Sequence, residues 1–431
     1  MARRGVPVLK IFHTSDWHLG AQLHDQSRLP EQEKFLDWLK SRMAQERPDV
    51  LIIAGDIFDT CAPSNAALNL YYDFLATTYK ENLCRMVVVI GGNHDSPSLL
   101  DAPSTALSHL HTRVIGSVKY PDGDILAPGY ENEVIVVKDA AGCPGLVIGA
   151  VPYLRDADLR SSAAQDTRDD RIEKLKRGFA RHYAAVVDLA RQQATLPDGR
   201  QLPIVLTGHL FLTGGTTAAE KSERDLQIGN LGALEQALLP SADYYALGHL
   251  HSPQTISGCE TCRYAGAPIP MSFGEARQSK SIVIVEFAPQ TPPVVRLDPI
   301  PQTQSLVQFN GTPEAIVEKL KELVASGKET WVDLQITEGI GDLTSWWNTF
   351  PVLVEGSAVR ILRSQNARPG KEPSALGAVI AESTRLEHMT PEQLFGMRLA
   401  DEDLTDGEKL EFTGLFQEIC LQCAESDTNR E

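Results

Sequence analysis

The sequence contains no apolar run that approaches the roughly 20 residues needed to cross a bilayer as a helix. Its 431 residues are 42% hydrophobic and 23% charged, without a low-complexity tract. The basic N-terminal stretch MARRGVPVLKIFHTSDWHLG has only a short apolar segment, which His13 and Asp16 interrupt. That pattern predicts a β-strand and not a signal peptide, so we expect a cytoplasmic location.

Cysteine is also scarce, with seven residues in the whole chain. This small odd number does not support a disulfide framework. Two C-x-x-C spacings occur, Cys259/Cys262 in a predicted polar turn and Cys420/Cys423 in a predicted C-terminal helix. A four-thiolate zinc site would require these distant pairs to meet in space, and free thiols are the simpler interpretation.

Basic residues are in the minority, because 40 Lys and Arg stand against 57 Asp and Glu, for a net charge of −17. Phosphate binding usually shows as a basic excess, so the balance disfavours tight nucleic-acid binding by this chain alone. It does not exclude a DNA substrate, since bound cations neutralise metal-site carboxylates and a partner subunit can supply backbone contacts. The basic residues at 155–181 are interleaved with acids and are interpreted as a solvated helix face.

The length predicts two or three domains. Strand-like and helix-like segments alternate from residue 8 to about 300, which indicates α/β sheets covered on both faces. Residues 303–370 follow a change in composition and are predicted to form a small α+β domain. Residues 371–431 are predicted to be a linker followed by short helices with exposed apolar residues. Among the single elements, one helix is predicted from about Ser64 and another over residues 97–110.

Polar residues of metal-ligating type follow five predicted strands. They are Asp16 and His18 in SDWH, Asp56 and Asp59 in GDIFD, Asn93, His94 and Asp95 in GGNHD, His209 in TGH, and His249 and His251 in GHLH. Ligands of open α/β sheets gather beyond the carboxyl ends of the strands, and alternate residues of an extended segment point to the same side. The pattern therefore predicts a metal site. The six other histidines are interpreted as core or surface residues: His13, His24, His109, His111, His182 and His388.

The residue types indicate which metals would bind. Two divalent cations about 3.5–4 Å apart share a bridging carboxylate, and imidazole, carboxylate and carbonyl oxygen suit manganese or iron. Cysteine is missing from all five motifs, which argues against a zinc–thiolate or iron–sulfur centre.

The ordered set D-x-H, G-D-x-x-D, G-N-H-D, G-H and G-H-x-H resembles the calcineurin-like metallophosphoesterase superfamily. The stretches HTSDWHLG, IIAGDIFDT, SERDLQIG, DYYALGHLHSPQ and YAGAPIPMSFGE are similar to its SbcD family of bacterial nuclease subunits, strongly over residues 8–290 and more weakly beyond. The resemblance implies a four-layer α/β/β/α sandwich over residues 1–300. It also implies a capping domain at 303–370 that helps to select DNA, and a partner-docking helical tail within 371–431.

The resemblance also implies roles for individual residues. The first cation would be held by Asp16, His18, Asp56 and His251, and the second by Asp56, Asn93, His209 and His249. His94 would be the general acid that helps the leaving oxygen depart, or would stabilise the charged transition state, and Mn²⁺ is the usual activator of the family. Asp59 and Asp95 are possible outer contacts of the site. Asp59, where distant relatives often have histidine, would either orient His94 or cap its turn.

The activity that the resemblance implies is two-metal hydrolysis of DNA phosphodiesters, at double-stranded ends and at hairpins or blocked ends. An SbcC-like coiled-coil ATPase would be the partner in DNA repair and recombination, with a homodimer inside a heterotetramer. Two alternatives stay open. A phosphodiesterase or phosphatase of small nucleotides would share every ligand but would not need the capping domain and tail, and a non-enzymatic scaffold would not need the intact ligand set.

Overall fold

The structure, a computed structural model, describes residues 8–120, 129–159, 168–212, 234–288, 291–337 and 344–366. The chain divides into two units, of which the larger contains Met1–Phe309, Val317–Leu334 and Thr344–Ser364, and the smaller contains Asn310–Ile316, Gln335–Leu343 and Gln365–Glu431. The domain boundaries near residues 300 and 370 stay a prediction. Within the described ranges, no helix combines the length and the apolar character needed to span a membrane.

The first six strands and the first four helices lie in the N-terminal third of the chain. The strands are β1 Leu9–Thr14, β2 Gln22–Leu23, β3 Gln26–Ser27, β4 Val50–Ala54, β5 Met86–Ile90 and β6 Thr112–Ile115. The helices are α1 Leu29–Glu46, α2 Asn65–Lys80, α3 Pro97–Asp101 and α4 Ser104–Ser108.

The remaining elements follow in chain order. The strands are β7 Val134–Lys138, β8 Pro144–Gly149, β9 Ile204–His209, β10 Tyr244–Gly248, β11 Gln254–Ile256, β12 Cys259–Tyr264, β13 Ser281–Phe287, β14 Val294–Pro299, β15 Ser305–Gly311, β16 Thr330–Ile336 and β17 Val359–Asn366. The helices are α5 Asp156–Leu159, α6 Arg168–Ala194, α7 Pro313–Ala325 and α8 Thr344–Val354.

Two six-stranded sheets form the centre of the larger unit. The first has the order β14-β13-β1-β4-β5-β6, and the second has the order β11-β12-β10-β9-β8-β7. Strands β1, β4, β5 and β6 run parallel to one another, and so do β8, β9, β10 and β12. The parallel arrangement brings the carboxyl ends of neighbouring strands to the same edge of each sheet.

The two sheets pack face to face and are covered on their outer faces by helices. Between the sheets, Ile52 and Val88 of the first share one apolar core with Ile148 and Val205 of the second. Burial on both faces requires strands that are apolar along their whole length. The stretch VLIIA in β4 is such a strand. The predicted α/β/β/α sandwich is therefore confirmed.

Different helices cover the outer faces of the two sheets. On the first sheet, Phe35 of α1 and Phe74 of α2 pack against the same core as Phe12 of β1. On the second sheet, Phe179 and Tyr183 of the long helix α6 occupy the corresponding position.

One predicted helix is two helices in the structure. The segment predicted as a single helix over 97–110 contains α3 and α4, which are separated at Ala102 and Pro103. Proline has no N–H to continue the hydrogen-bond ladder, and the backbone leaves the helical region at Pro103 itself, with φ at −85° and ψ at 4°. The prediction at Ser64 is confirmed, because its side chain accepts a hydrogen bond from the Ala67 N–H at 3.3 Å. This bond caps the start of α2.

The C-terminal described segment contains a three-stranded sheet in the order β15-β16-β17. Asp333 on the central strand β16 is fully buried, and the Arg363 guanidinium of β17 donates to its two carboxylate oxygens at 2.8 and 2.7 Å. This bidentate pair satisfies a charge that would otherwise be costly to bury.

Candidate metal centre

The predicted site residues lie directly after the carboxyl ends of five strands. Strand β1 ends at Thr14, β4 at Ala54 and β5 at Ile90 in the first sheet, and β9 ends at His209 and β10 at Gly248 in the second. The five motifs follow or complete these strands, and the two sheets bring them together. They include all the predicted ligands: Asp16, His18, Asp56, Asn93, His209, His249 and His251.

Four of these residues have left-handed backbone, which is unusual for residues with a side chain. The φ angles are 52° at Asp16, 45° at His18, 50° at Asp56 and 103° at His249. Such conformations cost of order 1–3 kcal/mol each and persist where the surrounding structure fixes them. The turns after β1 and β4 hold each other in place, because the Asp16 N–H donates to the Gly55 carbonyl and the His18 N–H donates to the Asp56 carbonyl, both at 3.0 Å.

Gly92 explains why glycine precedes Asn93 in the GGNHD motif. A Cβ at this position would lie 2.1 Å from the Asp56 Oδ1 and 2.3 Å from the Asp56 N. Only a residue without a side chain allows the turn after β5 to come this close to the turn after β4.

The first group of ligating atoms joins the ends of β1 and β10. The Nε2 atoms of His18 and His251 lie 3.1 Å apart. Single ligand atoms of Asp16, His18 and His251 all lie within 4.8 Å of one another. Asp16 and His18 are buried, and the His251 side chain is 14% exposed, so the group faces a small opening.

The second group joins the ends of β5, β9 and β10. The Asn93 Oδ1 lies 2.9 Å from the His209 Nε2 and 3.1 Å from the His249 Nδ1. The other ring nitrogen of His209, Nδ1, lies 2.9 Å from the Ala54 carbonyl, which fixes the orientation of the imidazole. A ligating histidine is commonly oriented in this way.

Asp56 lies between the two groups. Its Oδ2 is 3.2 Å from the His209 Nε2 and 3.6 Å from the His18 Nε2, and its Oδ1 accepts a hydrogen bond from the His94 N–H at 2.9 Å. Ligand atoms of Asp16, Asp56 and His209 form a further group within 4.8 Å. One carboxylate therefore reaches both sides of the site.

The electrostatics of Asp56 and His209 are coupled. Burial alone would raise the pKa of Asp56, but the charge of His209 and its hydrogen bond, aided by His18 and His94, hold that pKa well below its usual range. Burial likewise would lower the pKa of His209, but Asp56 raises it to about 9. Opposite charges at close range favour the charged form of each other. A cation held by both residues would require His209 to be neutral, because a ligating imidazole is neutral.

His94 is oriented by its neighbours in the two adjoining turns. Its Nδ1 lies 2.8 Å from the backbone carbonyl oxygen of Asp59. The Asp59 carboxylate also lies beside the site: its Oδ1 is 3.4 Å from the His18 Nδ1, and ligand atoms of His18, Asp59 and His94 all lie within 4.8 Å of one another. The main chain of Asp59 thus contacts His94, and its side chain contacts the first ligand group.

The Asp95 carboxylate connects the turn after β4 to the turn after β5. Its two oxygens accept hydrogen bonds from the N–H groups of Ile57, Phe58 and Gly92 at 3.2, 3.0 and 2.8 Å. Burial, followed by the charge of Asp56, raises the pKa of Asp95 to about 6, even though these three bonds favour the carboxylate.

The donor set suits a divalent cation. Three oxygen-bearing side chains and four imidazoles converge from two sheets, with both acids buried and three of the turns strained to bring them together. Clusters of mixed carboxylate and imidazole ligands bind first-row divalent metals. Among the described residues, none of the groups that could hold a metal ion contains cysteine.

Comparison with known proteins agrees with this geometry. A family profile described as "Calcineurin-like phosphoesterase" matches residues 9–253, which is more than half of the chain. The D subunit of the SbcCD nuclease of Escherichia coli K12 is 32% identical over 420 residues, covering 95% of this chain and 97% of that protein. The chain belongs to the SbcD family of calcineurin-like phosphoesterases.

Further matches extend the likeness beyond the sandwich. The SbcD_C profile, described as "Type 5 capsule protein repressor C-terminal domain", matches residues 302–403. The corresponding SbcCD nuclease subunit of Rhodobacter capsulatus is 30% identical and covers 90% of this chain and 93% of that protein. Among solved structures, a dimetal phosphatase from Danio rerio matches with a TM-score of 0.40 and 12% identity, over 69% of this chain and 98% of that chain.

One expectation about cysteine is corrected by the structure. Cys259 and Cys262 lie on strand β12 and not in a polar turn. Both cysteines belong to one apolar cluster, in which Cys262 is buried and Cys259 packs against it. Both are free thiols, and Cys262 is buried. Cys420 and Cys423 lie outside the described residues, as do the stretch SERDLQIG and the predicted docking tail.

Sequence reasoning for this SbcD-family chain missed two residues beside the first ligand group. Glu275 and Lys280 are both buried, and they form an ion pair with 2.5 Å between the Glu275 Oε2 and the Lys280 Nζ. The Glu275 Oε1 lies 3.4 Å from the His251 Nδ1. Glu275 ends the stretch YAGAPIPMSFGE, whose irregular backbone offers no periodicity, so only the acid after the glycine could have drawn attention to it.

Proposed function

We propose that this protein is a metal-dependent DNA nuclease that hydrolyses phosphodiester bonds at double-stranded ends and at hairpin or blocked ends. The observation that carries the proposal is the position of Asp56, whose Oδ2 lies near His18 of the first ligand group and His209 of the second, in a chain of the SbcD family. A buried carboxylate that reaches two clusters of imidazoles is the arrangement that a two-cation phosphoesterase needs.

The cations that we propose are two Mn²⁺ ions. The first would be held by Asp16, His18, Asp56 and His251, and the second by Asp56, Asn93, His209 and His249. The distances support this division, because His18 contacts His251 and Asn93 contacts His209 and His249, while Asp56 lies near both His18 and His209.

When bound, the two cations would supply a water of lowered pKa as nucleophile and neutralise the non-bridging oxygens of the phosphate. His94 would hold the proton for the leaving oxygen, as a general acid. Its Nδ1–H donates to the Asp59 carbonyl, which fixes the orientation of the ring. The bond from the His94 N–H to the Asp56 Oδ1 fixes this acid relative to the shared carboxylate.

The partner that we propose is an SbcC-like coiled-coil ATPase, because the relatives carry the name of a subunit of the SbcCD nuclease. This chain has a net charge of −17. An acidic nuclease would rely on such a partner for much of its grip on the DNA backbone. We further propose that residues 303–370 cap the cleft, that the tail docks the ATPase, and that the assembly is a heterotetramer with a homodimer of this chain in the cytoplasm.

The test is incubation with Mn²⁺ and three substrates: linear double-stranded DNA, hairpin DNA and a small phosphodiester. We expect Mn²⁺-dependent cleavage of both DNA substrates, increased by the ATPase partner and ATP. A His94→Gln variant should lose about 10²–10⁴-fold in rate while it still binds the partner. Turnover of the small diester but never of DNA would favour the small-nucleotide phosphodiesterase, and unchanged cleavage by His94→Gln would refute the role of this residue.

A further inference from the structure

The segment that follows strand β12 contributes a buried ion pair to the surroundings of His251. Glu275 is 4% exposed and Lys280 is 5% exposed, and neither belongs to the five ligand motifs. A buried charged pair costs desolvation energy, which only close contacts and hydrogen bonds offset. The partners of the pair therefore indicate what it does.

Both members of the pair contact His251, one through the ring and one through the main chain. The Glu275 Oε1 lies 3.4 Å from the His251 Nδ1, and the Lys280 Nζ donates to the His251 carbonyl at 2.9 Å. The Ala267 N–H donates to the same carbonyl at 3.0 Å. The imidazole and the backbone of His251 are thus both fixed by the segment after β12.

The opposite ring nitrogen of His251 faces the ligand group. Its Nε2 lies 3.1 Å from the His18 Nε2. A carboxylate at Nδ1 keeps the proton on that nitrogen, and so leaves Nε2 with a lone pair for a cation. His209 has a comparable arrangement, but there a backbone carbonyl, that of Ala54, contacts Nδ1.

We propose that Glu275, held by Lys280, is a positioning residue that sets the tautomer and orientation of His251 for the first cation. The inference rests on the proposed function for the presence of that cation. Glu275 acts through His251 and is not itself one of the proposed ligands. Removing its charge should weaken the binding of the first cation. The affinity for the second cation, at His209 and His249, should not change.

Equilibrium Mn²⁺ binding to the full chain, by calorimetry, is the test. Glu275→Gln keeps the size of the side chain and removes its charge, and it should raise the dissociation constant of one Mn²⁺ by about 10–100-fold. The second Mn²⁺ should bind as in the wild type. Glu275→Asp keeps the charge but withdraws the carboxylate by one methylene, and it should give a smaller loss; it decides the question if Glu275→Gln does not fold.

The chain offers a matched control in Glu133. This acid is 1% exposed, and its Oε2 lies 2.8 Å from the Nε2 of His182, in a pair that includes no ligand motif. Glu133→Gln removes the charge from a second buried Glu–His pair, so it should lower stability without changing either Mn²⁺ affinity.

Three results would overturn the proposal. Glu275→Gln could bind both Mn²⁺ ions as tightly as the wild type, or it could lose affinity equally for both ions. Alternatively, Glu133→Gln could lose as much Mn²⁺ affinity as Glu275→Gln. Failure of the proposed function has a different signature. If the wild type binds two Mn²⁺ ions and Glu275→Gln weakens one, the inference holds even where no DNA is cleaved, whereas a wild type that binds no Mn²⁺ refutes both.

Discussion

At the carboxyl ends of their strands, the two sheets present different chemistry to one site. The first sheet contributes the oxygen ligands together with two histidines, whereas the second contributes imidazoles alone: Asp16, His18, Asp56, Asn93 and His94 against His209, His249 and His251. Neither set could hold two cations by itself, because a bridging carboxylate and a sufficient number of imidazoles occur together only where the sheets meet.

The two sheets also differ in the backbone conformation of the turns that carry the predicted ligands. Among the predicted ligands, three left-handed residues follow strands of the first sheet, Asp16, His18 and Asp56, and one follows a strand of the second, His249. The turns of the first sheet are fixed by hydrogen bonds to one another and to Asp95. The second sheet places its histidines mainly by strand register, with β9 and β10 paired up to Gly248 opposite His209.

We expect the largest loss of Mn²⁺ binding and nuclease activity from substitution of Asp56, the carboxylate that contacts histidines of both sheets. Asp56→Asn removes the charge that both ligand groups share, so we expect neither Mn²⁺ to bind and the nuclease rate to fall by at least ~10⁴-fold. The measurement is Mn²⁺ stoichiometry by calorimetry alongside DNA cleavage.

Asp49 is the matched control for this substitution, because it precedes strand β4 where Asp56 follows it. Its carboxylate accepts from the Lys10 N–H at 2.8 Å and pairs with the Arg85 Nε at 2.9 Å, at the amino end of the strand. Asp49→Asn should lower stability and still bind two ions. Two ions bound by Asp56→Asn would show that Asp56 is not the shared ligand.

A smaller effect is expected where the sheets touch beside the site. A Cβ at Gly248 would lie 1.9 Å from the Ala54 carbonyl oxygen, so Gly248→Ala must push the end of β10 away from the end of β4. We expect the free energy of unfolding to fall by about 3 kcal/mol, as overpacking does in cores, and Mn²⁺ affinity to fall with it. Urea unfolding and calorimetry measure the two quantities.

Gly199→Ala is the control for Gly248→Ala, because it replaces a glycine that no other residue of the described ranges approaches closely. Its backbone is left-handed, with φ at 82°, and a Cβ there would meet nothing within 4 Å. Gly199→Ala should therefore cost about 1 kcal/mol through backbone strain alone. Equal losses of stability in the two variants would mean that the close approach of the sheets contributes nothing.

The smallest effect concerns a histidine that joins the sheets without serving the site. His13 on β1 lies 2.9 Å from the Tyr244 hydroxyl and 3.2 Å from the Leu247 carbonyl, both on β10. Burial, with a smaller opposing effect of the Leu247 bond and a further lowering by Arg263, lowers the pKa of His13 from 6.5 to about 3. Between these values the unfolded chain binds the proton and the folded chain does not.

Stability should therefore decrease as the pH falls through the unfolded pKa of 6.5 towards the folded value. The loss from this one residue should reach at most about 1.4 kcal/mol per pH unit. Urea unfolding at several pH values measures it, and His13→Asn should be less stable at neutral pH but show a shallower loss in acid. Identical pH slopes for the variant and the wild type would contradict the assignment.

The strand ends can be predicted from the sequence because buried strands are apolar along their whole length and the ligands begin where that pattern stops. VLIIA before Asp56 and MVVVI before Asn93 are examples. The same reasoning interprets His13 and His182 as ordinary residues, and both are buried and hydrogen-bonded away from the ligand motifs.

Other features depend on contacts that no local pattern encodes. The apolar spacing continues across Pro103 and hides the break there, and the polar composition around Cys259 favours a turn over the strand that pairs with β10 and β11. Glu275 acquires its position only when the segment after β12 folds back on His251. The contact of His94 with the Asp59 main chain likewise requires the backbone conformation of both turns.

The most direct test of the shared carboxylate is anomalous scattering from crystals of this protein grown with Mn²⁺. We predict two manganese peaks about 3.5–4 Å apart, with the Asp56 carboxylate between them. His18 and His251 should lie on one peak, and His209 and His249 on the other. A single peak, or two peaks that do not share Asp56, would contradict the two-cation assignment.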